Sequence, residues 1–148
     1  MTVGLRELAE LKGDQWSIDD GVGRITWAEE NERTNRLIHG LRGLGLDHGD
    51  CIAIFGGNRR EWIEAASAAA RSSLVWVPVN WHFTPEELAY VIGNSESKLL
   101  ITDKAFAPTA VAAVARGETP TLKRCICIDS AIDGFDGYEA LLAASSNS

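Results

Sequence analysis

The stretch that decides the fold is "LVWVPVNWHFTPEELAYVI", residues 74–92. It opens with a short apolar run, 74–79, rich in β-branched residues, which predicts a strand. The run stops at a turn through Asn80, Trp81, His82 and Phe83. Thr84, Pro85 and Glu87 then stand in the order of a helix start. The threonine is the N-cap, the proline takes the first helical position, and the glutamate closes a capping box. Leu88, Val91 and Ile92 follow at helical spacing as the apolar face.

The same strand–turn–helix unit recurs on both sides. Upstream, "CIAIF" (51–55) runs into Gly56-Gly57, and Asn58 with Glu61 predicts a capped, alanine-rich helix to about residue 72. Downstream come a strand "KLLIT" (98–102), a helix over 109–116, a strand "RCICI" (124–128) and a closing helix over 138–144. The strands are continuous apolar runs rather than alternating ones, which suits a parallel sheet covered on both faces. Alternation of strand and helix makes right-handed crossovers the default.

Before this region, "LRELAELK" (5–12) predicts a short leading helix. "QWSI", Asp19-Asp20-Gly21 and "GRIT" then predict a hairpin. Thr26 with Glu29 starts another helix, whose stripe is Thr34, Leu37, Ile38, Leu41 and Leu44. Gly45 ends it in a left-handed conformation, with Leu46 as the accompanying apolar contact. The expected architecture is α/β: a mostly parallel sheet covered by helices, with a small leading hairpin. Residues 1–144 form one unit, and 145–148 form a polar, frayed tail.

Composition narrows the function. The chain has 148 residues, 45% hydrophobic, with a net charge of -7. That length fits one domain with a sizeable core. Negative charge, with Lys and Arg spread along the chain, opposes nucleic-acid binding. Three cysteines, Cys51, Cys125 and Cys127, form no disulfide framework and point to a reducing compartment, hence a cytoplasmic protein. Cys125 and Cys127, two apart on a strand, share one buried face. His39, His48 and His82 offer no metal-ligand spacing to join them. The start of the chain has no basic segment followed by an apolar one, and no run approaches the roughly 18 apolar residues of a membrane span.

Two places invite a functional reading. "FGGNRREW" (55–62) puts two glycines between a strand and a helix, where phosphates often bind. It matches neither G-x-G-x-x-G nor G-x-x-x-x-G-K-[ST], so a plain strand–helix turn and an anion site both stand. The turn Asn80, Trp81, His82 lies at a strand's carboxyl end, the edge where open α/β sheets bind ligands. These three residues are the pocket candidates. Against that, Asn80 suits a backbone bridge, His82 a solvated loop, and Trp81 plain packing. The sequence contains no complete catalytic set.

Three segments resemble the start of the AMP-forming acyl- and aryl-CoA synthetase (adenylate-forming) superfamily. Residues 25–65 follow its "T-[YW]-x-E-L" helix, with Thr26, Trp27, Glu29, Asn35 and Arg36. They continue through its "G-[VL]-x-x-G-D-x-V-A-[IL]" turn at Gly45, Gly49, Asp50 and Ala53, and its "N-x-x-E-[WF]" at Asn58, Glu61 and Trp62. Residues 72–103 follow its "V-P-[LVI]-N" turn and capped helix, and "CICIDS" resembles the strand that comes next. The Asn80-Trp81 pair leans towards fatty-acyl-CoA ligases. The resemblance implies the N-terminal subdomain of such an enzyme. ATP, Mg²⁺, CoA and a fatty acid would serve the intact protein, whose C-terminal part would be this chain's partner. The family's Ser/Thr/Gly-rich phosphate loop and catalytic lysine do not occur in these 148 residues. The chain alone is therefore expected to be inactive and to bind no cofactor. A stand-alone interaction module, or a non-functional remnant of a split ligase, is the alternative. Three departures stand out: Ser73 where the family places Gly, Glu30 where it often has Leu, and a less apolar helix over 61–71.

Overall fold

The computed structural model describes residues 4–147. Helix α1 (Leu5–Lys12) leads into an antiparallel hairpin, β1 (Trp16–Asp19) and β2 (Arg24–Thr26). Helix α2 (Trp27–Gly43) follows. Then come β3 (Cys51–Phe55), α3 (Arg60–Arg71), β4 (Val75–Val79), α4 (Pro85–Asn94), β5 (Leu99–Thr102), α5 (Ala107–Ala115), β6 (Arg124–Cys127), β7 (Asp136–Gly137) and α6 (Tyr138–Ala143). Five strands form one sheet in the order β4-β3-β5-β6-β7, with every neighbouring pair parallel.

The period-two alternation of each strand sorts the core into two layers. Ile52, Ile54, Leu99, Ile101 and Ile126 face α2, α3 and α6. Ala53, Phe55, Leu100, Cys125 and Cys127 face α4 and α5. The sheet is thus covered on both faces, and its strands read as unbroken apolar runs for that reason. All three cysteines are free thiols. Burial pushes the Cys125 thiol up to about 11, with Asp136 adding to the effect.

The helix signals at α2 and α4 work as read. Thr26 and Glu29 exchange both bonds of a capping box, as do Thr84 and Glu87. Helix α2 ends at Gly45, φ 81, with Gly45 N–H donating to Arg42 O and Leu46 N–H to Leu41 O. Those are the two bonds of a Schellman turn, and Leu46 is buried against the core.

Several expectations need correction. Asn58 does not cap α3. The helix starts later, with Arg59 as N-cap and no side-chain cap bond. Glu61 therefore sits too early for a box, and its carboxylate takes the Arg59 guanidinium instead, Nε to Oε2 at 2.7 Å. The first helical N–H, on Arg60, donates to Asp20 Oδ2 of the hairpin at 3.4 Å. Strand β4 is an edge strand, so Val75 and Trp76 stay exposed where full coverage was expected. Pro78, which has no N–H to donate, is at home on such an edge. Val91 of α4 is only partly buried, and α5 starts at Ala107, ahead of the expected residue 109. Strand β7 has two residues, too short to leave a pattern in sequence. Residues 145–147, expected to fray, are bonded to α2: Arg36 donates to Ser145 O at 2.8 Å and Asn35 to Asn147 O at 3.2 Å. Residue 148 lies outside the described residues.

Candidate functional site

Because the five strands are parallel, their carboxyl ends share one edge of the sheet. At that edge the loops after β3, β4, β5 and β6 meet.

Two aspartates tie these loops together. Asp103, directly after β5, is buried. Its Oδ2 accepts from Gly57 N–H at 3.0 Å; its Oδ1 accepts from Ala105 N–H at 2.9 Å and Phe106 N–H at 3.2 Å. Asp129, two residues past β6, accepts from Arg59 Nη1 at 2.8 Å and from Lys104 N–H at 2.8 Å. Burial opposes the charge on Asp129, but the Lys104 N–H and the Arg59 guanidinium together hold its carboxyl below the usual range. Both oxygens of each carboxylate are engaged, so these groups build the edge and neither stands as a free base.

An aromatic shelf lies beside them. Trp81 and His82 stack with ring centroids 3.4 Å apart, tilted by 30°. Trp81 also meets Phe106 at 5.8 Å, and Phe106 meets Phe55 edge-on at 5.7 Å. Asn80 Oδ1 accepts from His82 N–H at 3.0 Å, the turn-bridging role open to it from the sequence. The three sequence candidates therefore stand together, exposed, at the end of β4. The sequence reading missed Phe106, Asp103 and Asp129. The aspartates had a visible signal, since each directly follows a strand as read from the sequence.

The Gly56-Gly57 turn does not fit a phosphate. Gly57 N–H is already donated to Asp103, and a Cβ built on Gly56 would lie 2.8 Å from Asp103 Oδ2. The close approach allowed by these glycines is to the chain's own carboxylate. Among the described residues, no group of three His, Cys, Asp or Glu side chains could hold a metal ion. No described helix is long and apolar enough to cross a membrane. The edge thus offers a rim tied by carboxylate hydrogen bonds and an aromatic shelf.

Comparison with known proteins gives this geometry a context. Residues 5–147 match the family model described as AMP-binding enzyme. The chain is 35% identical over 122 residues to a long-chain-fatty-acid–CoA ligase of Thermus thermophilus, covering 82% of this chain and 22% of that one. It is 31% identical over 128 residues to a 3-oxocholest-4-en-26-oate–CoA ligase of Rhodococcus rhodochrous, covering 82% and 23%. Among solved structures, the N-terminal domain of FACL13 from Mycobacterium tuberculosis superposes with a TM-score of 0.87 at 25% identity, covering 97% of this chain and 36% of that one. The chain spans about a fifth of the length of the curated relatives it matches.

Proposed function

The chain belongs to the AMP-binding enzyme family, and on that footing we propose that it is the N-terminal portion of an ATP-dependent fatty-acid–CoA ligase. The observation that carries this reading is the match of residues 5–147 to the family, with ligases as relatives of which it spans about a fifth. The intact enzyme would activate a carboxylate with ATP and Mg²⁺, release pyrophosphate from the acyl-adenylate, and pass the acyl group to CoA. In that assembly the shelf of Trp81, His82 and Phe106 would form part of the wall along the acyl chain, with Asn80 holding the turn. The wall is mostly aromatic, which suits an alkyl chain more than a polar acid. Free buried thiols agree with a cytoplasmic setting.

The 148-residue chain alone is expected to be inert. Its strand–turn–helix glycines hold Asp103 rather than a nucleotide, and the lysine-bearing phosphate loop is not in its sequence. The test is ATP–pyrophosphate exchange by the purified chain with palmitate and Mg²⁺. Exchange above the buffer rate would overturn the expectation of inactivity.

One observation favours a second reading, an interaction module that works with a separate polypeptide. Strand β4 leaves its outer edge open, with Val75 49% and Trp76 37% exposed. Such an edge accepts another strand or aggregates. If the remaining ligase portion, supplied as a separate chain, restores acyl-CoA formation, the module reading holds. If it neither binds nor restores activity, that reading fails.

A further inference from the structure

The fold gathers positive charge that chain order scatters. A cavity of about 710 Å³ opens between α1, α2 and the end of α3, lined among others by Arg6, Arg42, Arg71, Asn31, Asn35 and Glu10. Arg71, in the last turn of α3, reaches across to α2. Its Nη1 donates to Asn31 Oδ1 at 3.2 Å and its Nη2 to Asn35 Oδ1 at 2.8 Å. Both acceptors are neutral, so they orient the guanidinium without cancelling its charge. Arg33, Arg36 and Arg59, by contrast, each meet a carboxylate. Arg42 has no carboxylate partner among the described residues. Glu10, the acid on the cavity wall, is bound to Arg6 at 3.1 Å. Among the described residues, three arginines and one carboxylate line this cavity, in a chain whose net charge is -7. Arg71 is exposed, yet partial loss of hydration and the neighbouring Arg6 both weigh against its charge, and a bound anion would offset the repulsion from Arg6.

We propose that this cavity is a binding site for a phosphate group, held by the Arg71 fork with Arg6 and Arg42 closing on it. A guanidinium has five N–H donors in a fixed fork that suits phosphate oxygens. On Arg71 two go to the asparagines, which leaves the rest free for an anion. A phosphomonoester is mostly doubly charged at neutral pH, its second pKa lying near 6, and inorganic phosphate is mostly doubly charged in the mildly alkaline range. Either therefore answers the charge excess better than a singly charged carboxylate. The site is separate from the sheet edge and does not depend on the ligase reading.

The test titrates the full chain with inorganic phosphate at about pH 7.5 and constant ionic strength, read by calorimetry and by the side-chain amide signals of Asn31 and Asn35. Parallel arms use glycerol phosphate, acetate and chloride. Saturable binding of phosphate, with no response to acetate or chloride, is expected. Tighter binding of glycerol phosphate than of free phosphate would mark a phosphomonoester site, and the reverse a free-phosphate site. Loss of the fork's charged hydrogen bonds in Arg71→Gln should weaken binding about tenfold or more. Arg24→Gln, on the hairpin and paired with Asp19, should change nothing. Arg71→Lys keeps charge and loses the fork, so it should also weaken binding and serves if Arg71→Gln fails to fold. An equal response to acetate, no saturation with phosphate, or unchanged binding in Arg71→Lys would overturn the proposal.

Discussion

Ser73→Gly is expected to stabilise the chain. Ser73 follows α3 at the C′ position with φ 61, and Leu74 N–H donates back to Ala69 O at 2.9 Å. This is the long bond of a Schellman turn, whose C′ residue must be left-handed. There the Cβ of an L-residue crowds the next carbonyl, at a cost of about 1–2 kcal/mol. Glycine avoids that clash but loses about 0.5–1 kcal/mol through its greater freedom in the unfolded chain. The difference is a gain of about 0.5–1 kcal/mol. Nothing else is lost, because the side chain is exposed and the bond Ser73 makes, from Gly49 N–H to its carbonyl at 2.8 Å, uses backbone. Urea unfolding should show a higher midpoint at unchanged slope, and the melting temperature should rise by about 1–4 °C. Ser73→Ala keeps the Cβ and should bring no gain. If Ser73→Gly is no more stable than the parent, or Ser73→Ala gains as much, left-handed strain is not what this position stores.

Glu96 repeats the geometry after α4, with φ 53 and both Schellman bonds, Glu96 N–H to Gly93 O and Ser97 N–H to Ile92 O. Glu96→Gly should therefore add a similar gain, and with Ser73→Gly the two should sum within about 0.5 kcal/mol in the same assay. Glu30 is 5% exposed, bonded by Ser17 Oγ, and burial followed by the nearby Glu64 raises its pKa. A raised pKa favours the protonated acid in the fold, so stability is fullest below the unfolded value and falls as pH rises through the folded one. Glu30→Gln should match the parent near pH 4 and exceed it by a growing margin at neutral pH; parallel melting curves across that range would refute this. Gly56→Ala drives a Cβ to 2.8 Å from Asp103 Oδ2 and should cost about 1–3 kcal/mol, read as a lower urea midpoint. Tyr138 is fully buried and donates to Glu64 Oε2 at 2.9 Å. Tyr138→Phe should cost about 1.5–3 kcal/mol, the range for a hydrogen bond to a charged group, measured by thermal unfolding.

How much could be read in advance follows from the range of each interaction. Capping boxes and the glycine at C′ act within a few residues, so Thr26, Thr84 and Gly45 announced their turns and the structure keeps them. The covered parallel sheet was legible because burial on both faces leaves unbroken apolar runs. Asn58 misled because the local pattern was overruled from a distance: Asp20 of the hairpin takes the first helical N–H, and Arg59 takes Glu61. The unusually polar α3 has the same kind of explanation. Its Glu64 is fully buried, but Arg33 of α2 grips it at 2.6 Å and Tyr138 of α6 bonds it. A sequence window sees an acid on a core face and has no means of seeing the partners 31 and 74 positions away.

The site was less legible than the fold for a related reason. Asn80, Trp81 and His82 could be placed at the sheet edge because parallel strands send their carboxyl ends there, a rule of topology. The identity of what fills that edge was not. Two glycines before a helix suggest room for a phosphate, yet the same close approach serves a carboxylate from the chain itself. Asp103 sits 46 positions from Gly57, and only the pairing of β3 with β5 brings them together. The basic cavity is the converse case. Arg6, Arg42 and Arg71 look scattered along an acidic chain, and the packing of α1 and α3 against α2 makes them neighbours. In both places the charge that matters is set by which helices and strands meet, so a glycine pair overstates an anion site and dispersed arginines conceal one.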